Sequence, residues 1–141
     1  MKQLKNIKNK IKWEKYYDPE FNWNDFVFYR NNELTEEFIR EFKDRVDWYN
    51  ISIEQTLSED FIREFKDKVK WVYIAKCQKL SEDFIIEFKN NIDWWIISKY
   101  QKLSENFIRK FKDKVNLKYI SKYQTLSKDF KKELFQYFKE E

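Results

Sequence analysis

Leu34, Leu57, Leu80, Leu103 and Leu126 stand 23 residues apart, and each opens a copy of one unit, with no insertion or deletion between copies. The second copy reads LSEDFIREFKDKVKWVYIAKCQK, from Leu57 to Lys79. A fixed period of this length marks a repeat array, in which each unit buries its apolar face only against its neighbours. The chain must therefore fold as a stack, and a stack presents an extended surface on which a partner can dock.

Columns of the unit are counted from its Leu. Column 2 is Thr35, Ser58, Ser81, Ser104 and Ser127, followed by mostly acidic residues. Phe fills columns 5 and 9 of the full units, Ile fills column 6 in four copies, and column 13 is Val or Ile. A hydroxyl that caps orphan N–H groups, acids at the positive helix end and an i, i+4 apolar stripe predict an amphipathic helix, helix A, over roughly columns 3–12. Column 14 (Asp47, Lys70, Asp93, Asn116) supplies three good caps for a second segment. Column 15 is Trp48, Trp71, Trp94 and Leu117, column 18 is Ile, and column 22 is always Gln. This spacing predicts helix B, of about two turns. The WVYI and WWIIS stretches carry β-propensity but lack period-2 alternation. Leucine-rich repeats share the unit length, yet their L-x-x-L-x-L spacing is missing. The invariant Gln predicts a ladder of amides bonded between units or to backbone ends.

The expected fold is all-α: an αα-solenoid of 23-residue two-helix repeats with N- and C-terminal capping helices. Residues 1–17 form a basic capping helix striped by Leu4, Ile7 and Ile11. Residues 18–33 form a degenerate repeat, with a helix start at Asp18-Pro19-Glu20 and Phe28 in column 18. Four full repeats cover 34–125. Residues 126–141 form the C-terminal cap, with Phe130, Leu134 and Phe138 facing inward and Lys131 making the outer face polar.

The chain has no Gly and no His, and Cys77 is its one Cys. Phosphate loops and dinucleotide fingerprints need Gly, and His-based triads, bases and metal sites need His. One thiol builds neither a disulfide nor a thiolate cluster, and fits a reducing compartment such as the cytoplasm. The serines and paired acids recur in every copy, so capping and packing explain them. No catalytic residue, metal site or cofactor is therefore expected, and apolar runs are too short to span a membrane.

The stretches Ile97 to Phe107 (ISKYQKLSENF) and Leu57 to Val69 resemble short tandem helical repeats of uncharacterised giant-virus, AT-rich phage or bacterial proteins. The resemblance covers about 34–130 and implies no activity, cofactor or catalytic residue. For a viral chain it implies a place in the host cytoplasm.

Function is sought where copies differ. Columns 16, 17, 20 and 21 of helix B vary and carry large aromatics, the residue types that dominate protein interfaces. Tyr49, Trp95, Lys99, Tyr100, Tyr119, Lys122 and Tyr123 are the expected protein-binding residues. The expected function is a non-enzymatic protein-binding module, such as a viral or phage adaptor or inhibitor of a host defence enzyme. The alternative is RNA or single-stranded DNA binding: Lys76, Lys99 and Lys122 share column 20 beside tyrosines, and residues 1–17 carry six Lys and one Glu.

Overall fold

The structure is a computed structural model that describes residues 12–140. Leu4, Ile7 and Ile11, and with them most of the expected basic capping helix, lie outside the described residues. Those described contain ten α-helices, one 3-10 turn (Glu14–Tyr17) and no strand. The A helices are α2 (Glu36–Glu41), α4 (Glu59–Glu64), α6 (Glu82–Glu87) and α8 (Glu105–Lys110). The B helices are α1 (Phe26–Asn31), α3 (Trp48–Glu54), α5 (Trp71–Cys77), α7 (Trp94–Tyr100) and α9 (Leu117–Tyr123). A longer helix, α10 (Lys128–Glu140), closes the chain. The protein is an all-helical repeat solenoid whose closest helix–helix packing runs between successive B helices.

Helices of six or seven residues do not persist alone in water, so caps and neighbours must hold them. The column-2 hydroxyls of Thr35, Ser58, Ser81 and Ser104 accept from the N–H three residues on, at 3.1–3.2 Å. The carboxylate or amide of Asp47, Asp93 and Asn116 caps α3, α7 and α9, while Lys70 gives α5 no side-chain cap. The column-3 acids do more than favour their own helix dipole. Glu36, Glu59, Glu82 and Glu105 each accept from the backbone N–H of the next unit's column-2 serine, at 2.5–2.7 Å.

Helix A is shorter than its sequence pattern suggests, ending at column 8. The column-9 Phe takes ψ near 25°, and the chain then winds into a turn: the N–H groups of Arg45 and Val46 both donate to the Phe42 carbonyl. The turn follows a Phe pair whose rings, four residues apart on one helical face, lie 4.7 Å apart at Phe38/Phe42. It reverses the chain with no positive φ among the described residues, as a Gly-free sequence requires. Phe, Ile and Val of columns 5, 6, 13 and 18 are buried throughout the full units.

The Gln column closes the B layer. The Gln78 side chain accepts from Leu57 N at 3.0 Å and donates to the Ser52 and Gln55 carbonyls at 3.2 and 2.7 Å. Gln55, Gln101 and Gln124 repeat the pattern. Each amide thus takes up the last carbonyls of the preceding B helix, which no intrahelical donor can reach. The ladder runs from side chain to backbone, with no amide-to-amide stacking.

Two details at the ends depart from the sequence expectation. Asp18-Pro19-Glu20 starts a single turn and no helix: Asp18 accepts from Glu20 N, and Asn22 from Asn24 N. Such local side-chain bonds compete with helix, and they free Phe21 and Trp23 to pack with Tyr16 and Phe28. At the other end Phe130 and Leu134 are buried but Phe138 is exposed. The uninterrupted helix carries Phe138 past the last unit, where no layer lies beneath it.

Candidate interaction surface

The solvent-facing side of the B layer is set by helical geometry. With columns 15, 18 and 22 turned inward, columns 16, 20 and 21 must point out. Column 17 lies at the margin, and the structure divides it: Asn50 and Ile96 are buried, Tyr73 and Tyr119 half-buried. The variable columns therefore hold packing residues as well as a surface.

Six of the seven expected residues come together on α7 and α9. Trp95 (43% exposed) lies 5.8 Å from the Tyr119 ring, and Tyr119 stacks on Tyr123 at 5.7 Å. The Lys99 ammonium sits among three rings, 5.0 Å from Tyr100, 5.9 Å from Tyr119 and 5.2 Å from Tyr123. Its hydrogen bond to Tyr100 and the neighbouring phenols hold its pKa above the ordinary lysine value, so it stays cationic. Lys122 covers the Tyr123 ring at 5.2 Å. A groove of about 340 Å³ opens between the C-terminal ends of the two helices, lined by Lys99, Tyr100, Lys102, Tyr123 and Thr125 among others. The seventh residue, Tyr49, is two units away, where its ring packs edge-on with Tyr73 at 4.9 Å. The Tyr49 and Tyr73 hydroxyls share a hydrogen bond at 3.4 Å, and the neighbouring phenol raises the Tyr49 pKa by favouring its protonated form.

Phe26 and Val72 escaped the sequence reading. Both occupy column 16, so with Tyr49 and Trp95 they form an exposed apolar row, 43–53% accessible, along four successive B helices. Phe26 lies in the degenerate unit, where Asp25 directly before it caps α1, one column later than Asp47 caps α3. Val72 belongs to the variable columns but not to the aromatic and lysine residues expected to bind. Beside this row runs column 20, with Arg30, Ile53, Lys76, Lys99 and Lys122.

The polar residues of the types used in catalysis are committed elsewhere. The column-3 carboxylates hold serine N–H groups, and Ser52 and Ser98 are buried with their hydroxyls bonded to the Trp48 and Trp94 carbonyls. Partial burial pushes the Cys77 thiol pKa up, away from a reactive thiolate. Among the described residues no three His, Cys, Asp or Glu side chains gather as a metal site would require, and no helix is long and apolar enough to cross a membrane. Comparison with protein families, curated proteins and solved structures returns no match.

Proposed function

We propose that this chain is a non-enzymatic protein-binding module whose partner docks on the outer face of the B layer, centred on Trp95, Lys99, Tyr100, Tyr119 and Tyr123. The observation that carries this reading is the column-16 row with its adjoining aromatic cluster. A solenoid has no folding reason to keep Phe26, Tyr49, Val72 and Trp95 in water at one position of four units, and contiguous exposed apolar surface marks interaction sites. Within this reading, the partner of a viral or phage copy is a host protein such as a defence enzyme, and the module acts as its adaptor or inhibitor. The partner is to be recovered from the native host and its affinity measured. Trp95→Ala and Tyr100→Ala should each weaken binding by roughly tenfold or more, the scale of an interface hot spot. Lys43→Ala, on the A side, serves as the control. Unchanged affinity in both aromatic variants would remove the surface from this face.

A second reading, single-stranded nucleic acid binding, has one observation in its favour: Arg30, Lys76, Lys99 and Lys122 run in register beside the tyrosines. It is weaker because residues 18–141 sum to −1 and three of the rings already stack on one another. Phosphate-driven binding falls steeply with salt. A shift assay titrated from low salt separates the readings, and no retardation at low salt disposes of the second.

A further inference from the structure

In three units the column-15 tryptophan fills a fixed place. Trp48, Trp71 and Trp94 lie 4.8–5.4 Å from the column-9 Phe of the next unit and 6.2–6.3 Å from its column-5 Phe. The indole N–H groups of Trp48 and Trp71 donate to the carbonyls of Lys43 and Lys66, at 2.9 and 3.0 Å. The last unit breaks this arrangement on both sides. Column 15 is Leu117, and column 9 of the following helix is Leu134. Two ring systems are thereby removed while Phe130, the column-5 ring, stays buried.

A cavity of about 450 Å³ opens at that place, bounded by Leu117, Phe130, Leu134, Lys112, Arg109 and Tyr137 with a few others. It is open to solvent on one side, and its volume falls within the roughly 300 to 1,000 Å³ of small-ligand pockets. The polar end of the tryptophan place is also kept. Lys112 holds the column of Lys43 and Lys66, and its turn closes as theirs do, with Lys114 N and Val115 N donating to Phe111 O at 2.9 and 3.0 Å. The Leu117 side chain has no N–H to offer the Lys112 carbonyl. At the rim, Arg109 lies over the Phe130 ring at 4.5 Å and pairs with Glu133 at 2.9 Å, fixing one wall.

We propose that this cavity binds a small indole-type molecule, a planar aromatic with one N–H donor. The ring takes the place of the missing tryptophan against Phe130 and Leu134, and its N–H donates to the Lys112 carbonyl. The site lies on the A-helix and α10 side and does not depend on the B-face reading.

The test titrates the intact chain with free indole and follows backbone amides by NMR. Saturable shifts should appear around Lys112, Leu117, Phe130 and Leu134. 1-Methylindole, which lacks the donor, should bind ~3- to 10-fold more weakly, as loss of one hydrogen bond implies. Leu117→Trp should fill the cavity from within, keep the helical circular dichroism spectrum and abolish indole binding. Leu134→Phe fills it from the opposite wall and gives an independent reading if the first variant misfolds. Absence of saturable shifts at millimolar indole overturns the proposal, as does binding that survives in a folded filled variant. Equal affinity for 1-methylindole overturns the hydrogen bond to Lys112.

Discussion

At the scale of single residues, the array is held by polar side chains that each serve two units. Gln78 is buried and satisfies one N–H and two carbonyls across the B layer. Leaving buried backbone groups without partners costs ~1–3 kcal/mol each. Gln78→Ala should therefore lower unfolding free energy by about 3 kcal/mol, measurable by urea denaturation. A loss under 1 kcal/mol would mean that water replaces the amide without penalty. Column 19 offers the opposite experiment. Ser52 and Ser98 accept from the N–H of Lys70 and Asn116, at 3.0 and 2.8 Å, and the Tyr29 hydroxyl does the same for Asp47. Ala75 holds that column beneath Asp93 and has no side-chain oxygen to give. Ala75→Ser should add about 1 kcal/mol through the missing bond, and no gain would show that the methyl packing already compensates. That the Gln column matters was legible from its invariance among the copies. The direction of its bonds was not, because the acceptors are backbone carbonyls of the preceding unit, and only the stacking geometry brings them within reach.

At the scale of elements, each helix is too short to stand alone, and sequence shows the caps better than the lengths. Within the full units the Ser, Asp and Asn caps fall where the pattern places them, because capping is a local interaction. The end of helix A at column 8 was not legible: nothing in the Phe residue itself announces the change of ψ that turns the chain toward helix B. The ion pairs along the A helices show how elements accommodate each other's changes. Arg40, Arg63 and Arg109 pair with Glu64, Glu87 and Glu133 of the next unit, at 2.8–2.9 Å. Where the Arg column holds Ile86, the facing Glu column holds Lys110, so both partners change together and no unpaired repulsion arises. These pairs are exposed, and such pairs contribute little, about 0–1 kcal/mol.

The docking of α10 should respond to acid. Glu105 accepts from the backbone N–H and hydroxyl of Ser127 at the start of α10. The backbone bond, ahead of the hydroxyl and Arg109, holds its pKa below the ordinary glutamate value. A lowered native pKa favours the folded state above the unfolded pKa, and that contribution disappears as pH falls through the native one. Amide-exchange protection of residues 128–140, relative to α7, should therefore decline below pH ~4.5. Glu105→Gln should flatten this dependence, and an unchanged pH profile in that variant would place the acid-sensitive group elsewhere.

At the scale of the whole molecule, the repeat separates residues that build the stack from residues that face solvent. The all-helical solenoid was legible because one period governs every unit. The cluster on α7 and α9 was legible because those positions vary while their neighbours do not. The column-16 row became visible only once α1 took its place as a fifth B helix, which the sequence of the degenerate unit obscures. The two ends of the solenoid are also unlike: aromatic packing closes the first units, while Leu117 and Leu134 leave the last one open. The central claim, that the outer face of the B layer is the binding surface, is tested most directly by amide-exchange footprinting of the chain bound to its recovered partner. The account predicts new protection in residues 94–100 and 117–123, with α4 and α6 unchanged. Protection confined to the A helices, with residues 94–123 exchanging as in the free chain, would contradict it.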